Sequence, residues 1–154
     1  MSSTYFITTQ TFNRKRLFQN ALFADLFIEI LIRYRDQHKF LLHEFVVMPD
    51  HIHLLITPYP GTTMERSIQF VKGGFSRELT KRFGYAGEVW QTSFQDRRVR
   101  DHQECSGIVR YIRANPVQAH LANDYPFSSA TVTQSLDPLP QGLKPTHSDV
   151  LAQA

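Results

Sequence analysis

The stretch FLLHEFVVMPDHIHLLIT, residues 40–57, decides the fold. Phe40 to Met48 and His51 to Thr57 are apolar runs on either side of Pro49-Asp50. Two such runs around a turn dipeptide read as a β-hairpin. Side chains alternate across a strand, so His51 and His53 share one face and Ile52 takes the other. Two neighbouring imidazoles can chelate one divalent cation, although the pair alone also fits two surface or core histidines. Its place at the start of a central strand, just after a tight turn, favours the ligand reading.

Working outward, Tyr5 to about Thr11 reads as a first strand. A helix is expected from about Asn20, with Leu22, Phe23, Leu26, Phe27, Ile30 and Leu31 on one apolar face. Pro58-Tyr59-Pro60-Gly61 ends the hairpin. Thr62 and Glu65 then stand in capping-box spacing before a second helix, whose stripe is Met64, Ile68, Val71, Phe75 and Leu79. Gly73-Gly74 interrupts that helix at a cost of about 2 kcal/mol against alanine. The pair fits either tight packing and a kink or the close approach of a backbone or ligand. Ser93 to Val99 reads as a fourth strand. Asp101 and Glu104 cap a third helix, expected to end near Asn115 because Pro116 disfavours helix at the residue before it.

This order predicts an α+β chain: a ferredoxin-like split βαβ sandwich with an antiparallel sheet of four or more strands. Its helices are expected on one sheet face, with an extra C-terminal helix. Residues 1–133 form one domain, and residues 134–154 a polar, Pro-containing tail read as extended or poorly ordered. On the third helix Cys105, Ile108, Val109 and Ile112 define the core stripe. Tyr111 falls well to one side of it, with Asn115 one turn further along the same side. A lone tyrosine there also fits an amphipathic residue at the core margin.

The chain has 154 residues, 42% of them hydrophobic, which suits one domain with a real core and excludes a disordered chain. Seventeen Lys and Arg against 14 Asp and Glu give a net charge of +3, compatible with a polyanion partner and equally with a mildly basic protein. Cys105 is the sole cysteine, so no intrachain disulfide forms, and it reads as a small core residue. Neither a signal peptide nor a membrane span is visible, and a reducing, cytoplasmic setting is expected.

Basic residues punctuate the second helix (Arg66, Lys72, Arg77, Lys81, Arg82), cluster on the fourth strand (Arg97, Arg98, Arg100) and flank Tyr111 (Arg110, Arg113). Phosphate contacts from such residues give salt-dependent affinity, and the group near Tyr111 is the best placed. Lys72, Arg77, Arg97, Arg98, Arg100, Arg110 and Arg113 are the candidate set for contacts to a polyanion such as a nucleic acid. Trp90 and Phe94 read as core rather than base-stacking residues.

The runs MPDHIHLLI and YIRANPVQAHL, together with SIQFVKGGFS, VWQTSFQDRRVRD and YPFSSA, cover roughly residues 5 to 130. In that order they resemble the single-tyrosine HUH transposases, in particular the REP-associated tyrosine branch of the IS200-like group. The resemblance implies that Tyr111 attacks a DNA phosphodiester, leaving a 5′-phosphotyrosine and a free 3′-hydroxyl. It implies a metal held by His51 and His53, with Asn115 in the position of a third ligand from the helix. An amide oxygen suits Mg²⁺ or Mn²⁺. A phenol with a pKa of about 10 is a poor nucleophile near neutral pH and needs such activation. The implied substrate is single-stranded or hairpin DNA, and relatives work as monomers or homodimers. Asp50 reads as a turn residue rather than a ligand. A nuclease that uses activated water and a non-catalytic nucleic-acid-binding module are the alternatives.

Overall fold

The computed structural model describes residues 3–122, 124–130, 136–140 and 142–143. Its elements run β1 (Tyr5–Gln10), α1 (Ala21–Asp36), β2 (Phe40–Met48), β3 (His51–Pro58), α2 (Met64–Phe83), β4 (Gln95–Arg98) and α3 (His102–Gln118), with two short 3₁₀ turns between β1 and α1. The sheet order is β2-β3-β1-β4, and every neighbouring pair is antiparallel. Each helical connection therefore skips one strand, which is the split βαβ arrangement.

Strand alternation sorts the core into two layers. Ile7, Phe45, Val47, Ile52, Leu54 and Ile56 pack against α1 and α2 on one face. Val46, Met48 and Leu55 pack against Cys105, Ile108, Val109 and Ile112 of α3 on the other. The two helices of the split βαβ unit, α1 and α2, thus share one face as expected, and the extra helix α3 covers the other. Tyr111 is carried by a helix that lies over the histidine side of the sheet. An amphipathic stripe states only that a helix needs an apolar partner, and both faces of this sheet offer one.

The α1–α2 layer is the larger. Phe18, Phe27, Phe75 and Trp90 meet there with ring centroids 5.4–6.0 Å apart. Each such pair contributes about 0.5–1.5 kcal/mol beyond simple burial. Asn20 caps α1 by accepting from the Leu22 N–H, and Leu22 itself, in the first turn, stays exposed.

The cap of α2 is Thr63, one residue later than the sequence spacing suggested, and its hydroxyl accepts from the Arg66 N–H. The helix runs unbroken through Gly73-Gly74. A Cβ at Gly74 would sit 2.7 Å from Cε2 of Tyr34 on α1, whereas one at Gly73 would meet nothing within 4 Å. Gly74 therefore answers to tight helix packing. Helix α3 starts where expected, Asp101 accepting from the Glu104 N–H, but passes Asn115 and ends at Gln118. Pro116 lies in its last turn with a buried ring, so packing offsets the one backbone bond it cannot make.

The edge of β2 is covered by the segment that follows α3. Val47 N–H donates to Phe127 O at 2.8 Å, Ser129 N–H donates to Phe45 O at 3.0 Å, and the Tyr125 hydroxyl donates to Val47 O at 2.6 Å. The YPFSSA run is thus an edge cover. Part of the polar tail docks on the same strand. Asp137 accepts from Arg35 and from the Leu42 N–H, and its own N–H donates to Leu42 O. A bulge between Leu42 and Glu44 places His43 and Glu44 together on the α3 face, where Glu44 pairs with Arg113 and Ser129.

Candidate nucleic-acid cleavage site

The Pro49-Asp50 turn is gripped by the loop after β1. Thr11 N–H donates to Asp50 O at 3.0 Å, the Thr11 hydroxyl donates to the same oxygen at 3.1 Å, and Phe18 N–H donates to Pro49 O at 3.0 Å. His51 leaves this turn with Nδ1 2.7 Å from Asp50 Oδ1, and Arg14 Nε donates to Asp50 Oδ2 at 3.1 Å. Burial alone would raise the Asp50 carboxyl; the hydrogen bonds from His51 and Arg14 outweigh it and hold the group below its usual range. Asp50 is therefore an orienting carboxylate as well as a turn residue.

His53 faces β1, in register with Thr8, and its Nδ1 lies 2.8 Å from the Thr8 hydroxyl. The two imidazole centroids are 4.8 Å apart. Both rings are engaged through Nδ1, which leaves the Nε2 atoms as the nitrogens open to a ligand. Burial, helped by the neighbouring His51, pushes the His53 pKa down to about 3. The ring is neutral at ordinary pH, the form that coordinates metals.

Tyr111 stands over His53 of its own chain, ring centroids 5.3 Å apart, and its edge meets Phe6 at 6.0 Å. It is 45% exposed, so its position off the core stripe is realised. Glu104, Gly107, Ile108 and Tyr111, at helical spacing, form one wall of a cleft of about 650 Å³. Phe6, Thr8, Gln10, His51 and His53 form its floor, with Arg14, Gln95 and Arg97 at the sides.

Among the described residues, four buried side-chain polar atoms lack a hydrogen bond: Thr9 Oγ1, His53 Nε2, Asn115 Oδ1 and Glu104 Oε1, the last of which has an ion pair with Arg97 at 2.8 Å. Three of them belong to the strand and helix that frame this cleft. Such an atom costs about 1–3 kcal/mol when no partner arrives. An imidazole nitrogen and an amide oxygen are each donor types that a divalent cation takes.

A family model for IS200-like transposases matches residues 1–115. The chain belongs to the IS200-like transposase family. An Escherichia coli REP-associated tyrosine transposase is 26% identical over 132 residues, 82% of this chain and 75% of that protein. A Haemophilus influenzae protein named as a candidate REP-associated tyrosine transposase is 30% identical over 97 residues, 54% of each chain. The chain thus spans about half the length of that relative. Among solved structures, a REP-associated tyrosine transposase bound to a REP hairpin superposes with a TM-score of 0.71 at 23% identity, covering 88% of this chain and 82% of that one. A candidate transposase from Deinococcus radiodurans gives 0.57 at 23% identity, covering 79% and 93%. These neighbours share the fold.

Within this family member, the cleft brings together His51, His53, Tyr111 and Arg97. Asn115 continues the Tyr111 stripe but does not line the cleft. Arg98 and Arg100 line a neighbouring groove with Leu139 and Leu143, which Arg97 also borders. Arg113 is turned to Glu44. Arg110 is exposed beside the cleft wall. Lys72 and Arg77 sit on α2, across the sheet from the histidines. Lys72 Nζ donates to Gln91 O at 2.9 Å, and burial lowers its pKa. Trp90 is core, donating its indole N–H to Lys72 O. The sequence reading missed Arg14, Thr8, Gln95 and Glu104 in the cleft. Only Arg14 left a local signal, in the basic run Arg14-Lys15-Arg16. No helix among the described residues is long and apolar enough to cross a membrane.

Proposed function

We propose that the protein nicks and rejoins single-stranded or hairpin DNA by transesterification at Tyr111. One observation carries this reading: an exposed tyrosine ring lies against a buried, neutral histidine whose Nε2 has no partner, in a cleft open to a strand. Tyr111 Oη attacks the phosphorus, the P–O3′ bond breaks, and the tyrosine is left as a 5′-phosphodiester. The departing 3′-oxygen takes up a proton and the phenol loses one, so protons balance. Rejoining is the reverse attack by a 3′-hydroxyl and needs no ATP, because the phosphodiester is conserved.

His51 and His53 would hold a Mg²⁺ or Mn²⁺ ion, with Asn115 as the oxygen donor from α3. When bound, the ion supplies Lewis-acid polarisation of a phosphoryl oxygen. The chain's own contribution is placement. Thr8 and Asp50 fix the imidazoles, and α3 holds Tyr111 over its own chain's histidines, which supports a site complete within one chain. That a structural neighbour was solved with a REP hairpin supports a hairpin substrate.

The test is a denaturing gel with labelled hairpin DNA and Mn²⁺. Wild type is expected to give a covalent protein–DNA band that Tyr111→Phe abolishes. Cleavage without any adduct would replace this reading with a water-using nuclease.

A further inference from the structure

Two arginines in the cleft share an arrangement that the proposed chemistry does not use. Arg14 reaches in from the loop after β1, and Arg97 from β4. Each meets a carboxylate through Nε, Arg14 by a hydrogen bond and Arg97 by an ion pair. Arg14 Nε donates to Asp50 Oδ2 at 3.1 Å, and Arg97 Nε lies 2.8 Å from Glu104 Oε1 as an ion pair. The anchors are largely buried, with side chains 20% and 14% exposed, while the arginines are 58% and 68% exposed. Among the described residues neither guanidinium has a partner at its Nη atoms.

A guanidinium held by Nε keeps its Nη1–Nη2 edge free, and that edge matches two oxygens of a phosphate. We propose that Arg14 and Arg97 form a two-sided clamp on the DNA sugar-phosphate backbone, each aimed into the cleft by its carboxylate. The proposal rests on the cleavage reading of this cleft; it adds Arg14 as a binding residue, gives Arg97 of the candidate set a defined geometry, and adds two positioning residues, Asp50 and Glu104.

The backbone at Arg14 supports it. Arg14 has φ +52°, directly after Asn13 at +53°. Left-handed geometry at a non-glycine residue is strained, and such strain concentrates at ligand clamps. Arg14 N–H donates to Thr11 O at 3.0 Å, and the Thr11 hydroxyl reaches Lys15 O at 2.6 Å, so the loop is held in this shape. The shape is what carries a flexible cation to the mouth of the cleft.

A rival role, bracing of Asp50 only, is separated by salt dependence. Binding of a fluorescein-labelled DNA hairpin with a single-stranded flank is measured by anisotropy in EDTA, on the Tyr111→Phe background, across a salt series. Neither metal nor chemistry then contributes. Arg14→Ala and Arg97→Ala are each expected to lower the slope of log affinity against log salt by about 0.7, one phosphate's worth on a single strand, and the double variant by about twice that. Arg14→Gly relieves the left-handed strain, so it folds at least as well as Arg14→Ala and must give the same slope. Arg14→Lys keeps the charge and is expected to keep the slope. A wild-type slope in both Arg14→Ala and Arg14→Gly, with adduct formed by the wild-type enzyme, overturns the clamp alone. A reduced slope with no adduct from wild type supports the clamp and overturns the cleavage reading. Failure of Tyr111→Phe to bind the hairpin overturns both.

Discussion

The face of the sheet under α3 buries a histidine towards each end, and the two differ by one hydrogen bond. His43 is complete. Its Nδ1–H donates to Pro138 O at 2.7 Å, its Nε2 accepts from the Thr57 hydroxyl at 2.8 Å, and Thr57 accepts in turn from Thr4 at 2.7 Å. His53 is half complete, with Nδ1 at Thr8 and Nε2 buried without a partner. Burial lowers the pKa of both rings. A depressed histidine is therefore no mark of function by itself. The mark is the atom left waiting, because a structural imidazole has both nitrogens satisfied and a ligand-binding one does not.

The largest test of that contrast is to remove each ring. His53→Ala is expected to abolish adduct formation while the protein still folds. His43→Ala should keep the wild-type rate per folded molecule and lose about 1–3 kcal/mol of stability, read by urea denaturation, since it removes the acceptor of the Thr57 hydroxyl and the donor to Pro138 O. Equal loss of activity in both would break the comparison.

A smaller effect comes from the partners. Thr8→Val frees the His53 ring and should slow cleavage roughly 10–100-fold, in the range of outer-shell changes at metal sites. Thr57→Val should alter stability and leave the rate unchanged.

The opposite face of the sheet sharpens the contrast, because its determinants are purely steric. Gly74→Ala should cost about 1–3 kcal/mol by overpacking against Tyr34, which is itself stacked on Phe70. Gly73→Ala, with open space around it, should add up to about 1 kcal/mol through helix propensity. Neither should change the cleavage rate per folded molecule.

The smallest expected effect is on pH dependence. His43 is lowered in the folded state, chiefly by burial, below the value of about 6.5 that an unfolded chain shows. Below pH ~6.5 the unfolded chain binds the extra proton, so the contribution of His43 is full above that pH and is lost as the pH falls towards the folded value. A melting-temperature series from pH 7.5 to 5 should be flatter for His43→Gln than for wild type. An unchanged slope would show that His43 is not neutral when buried.

The sequence by itself determined whatever depends on local periodicity. The two-residue repeat of β3 put His51 and His53 on one face, the helical repeat of α3 put Tyr111 outside the core stripe, and Asp101 fixed where α3 begins. The strand and helix order gave the split βαβ sheet for the same reason. Only the tertiary structure decided which sheet face α3 covers, that Thr8 holds His53 and that Arg14 braces Asp50. Those contacts join residues 45 and 36 positions apart. Strand register and helix placement are settled by the packing of the whole core, and the segments that meet there carry no local trace of the residue they will face.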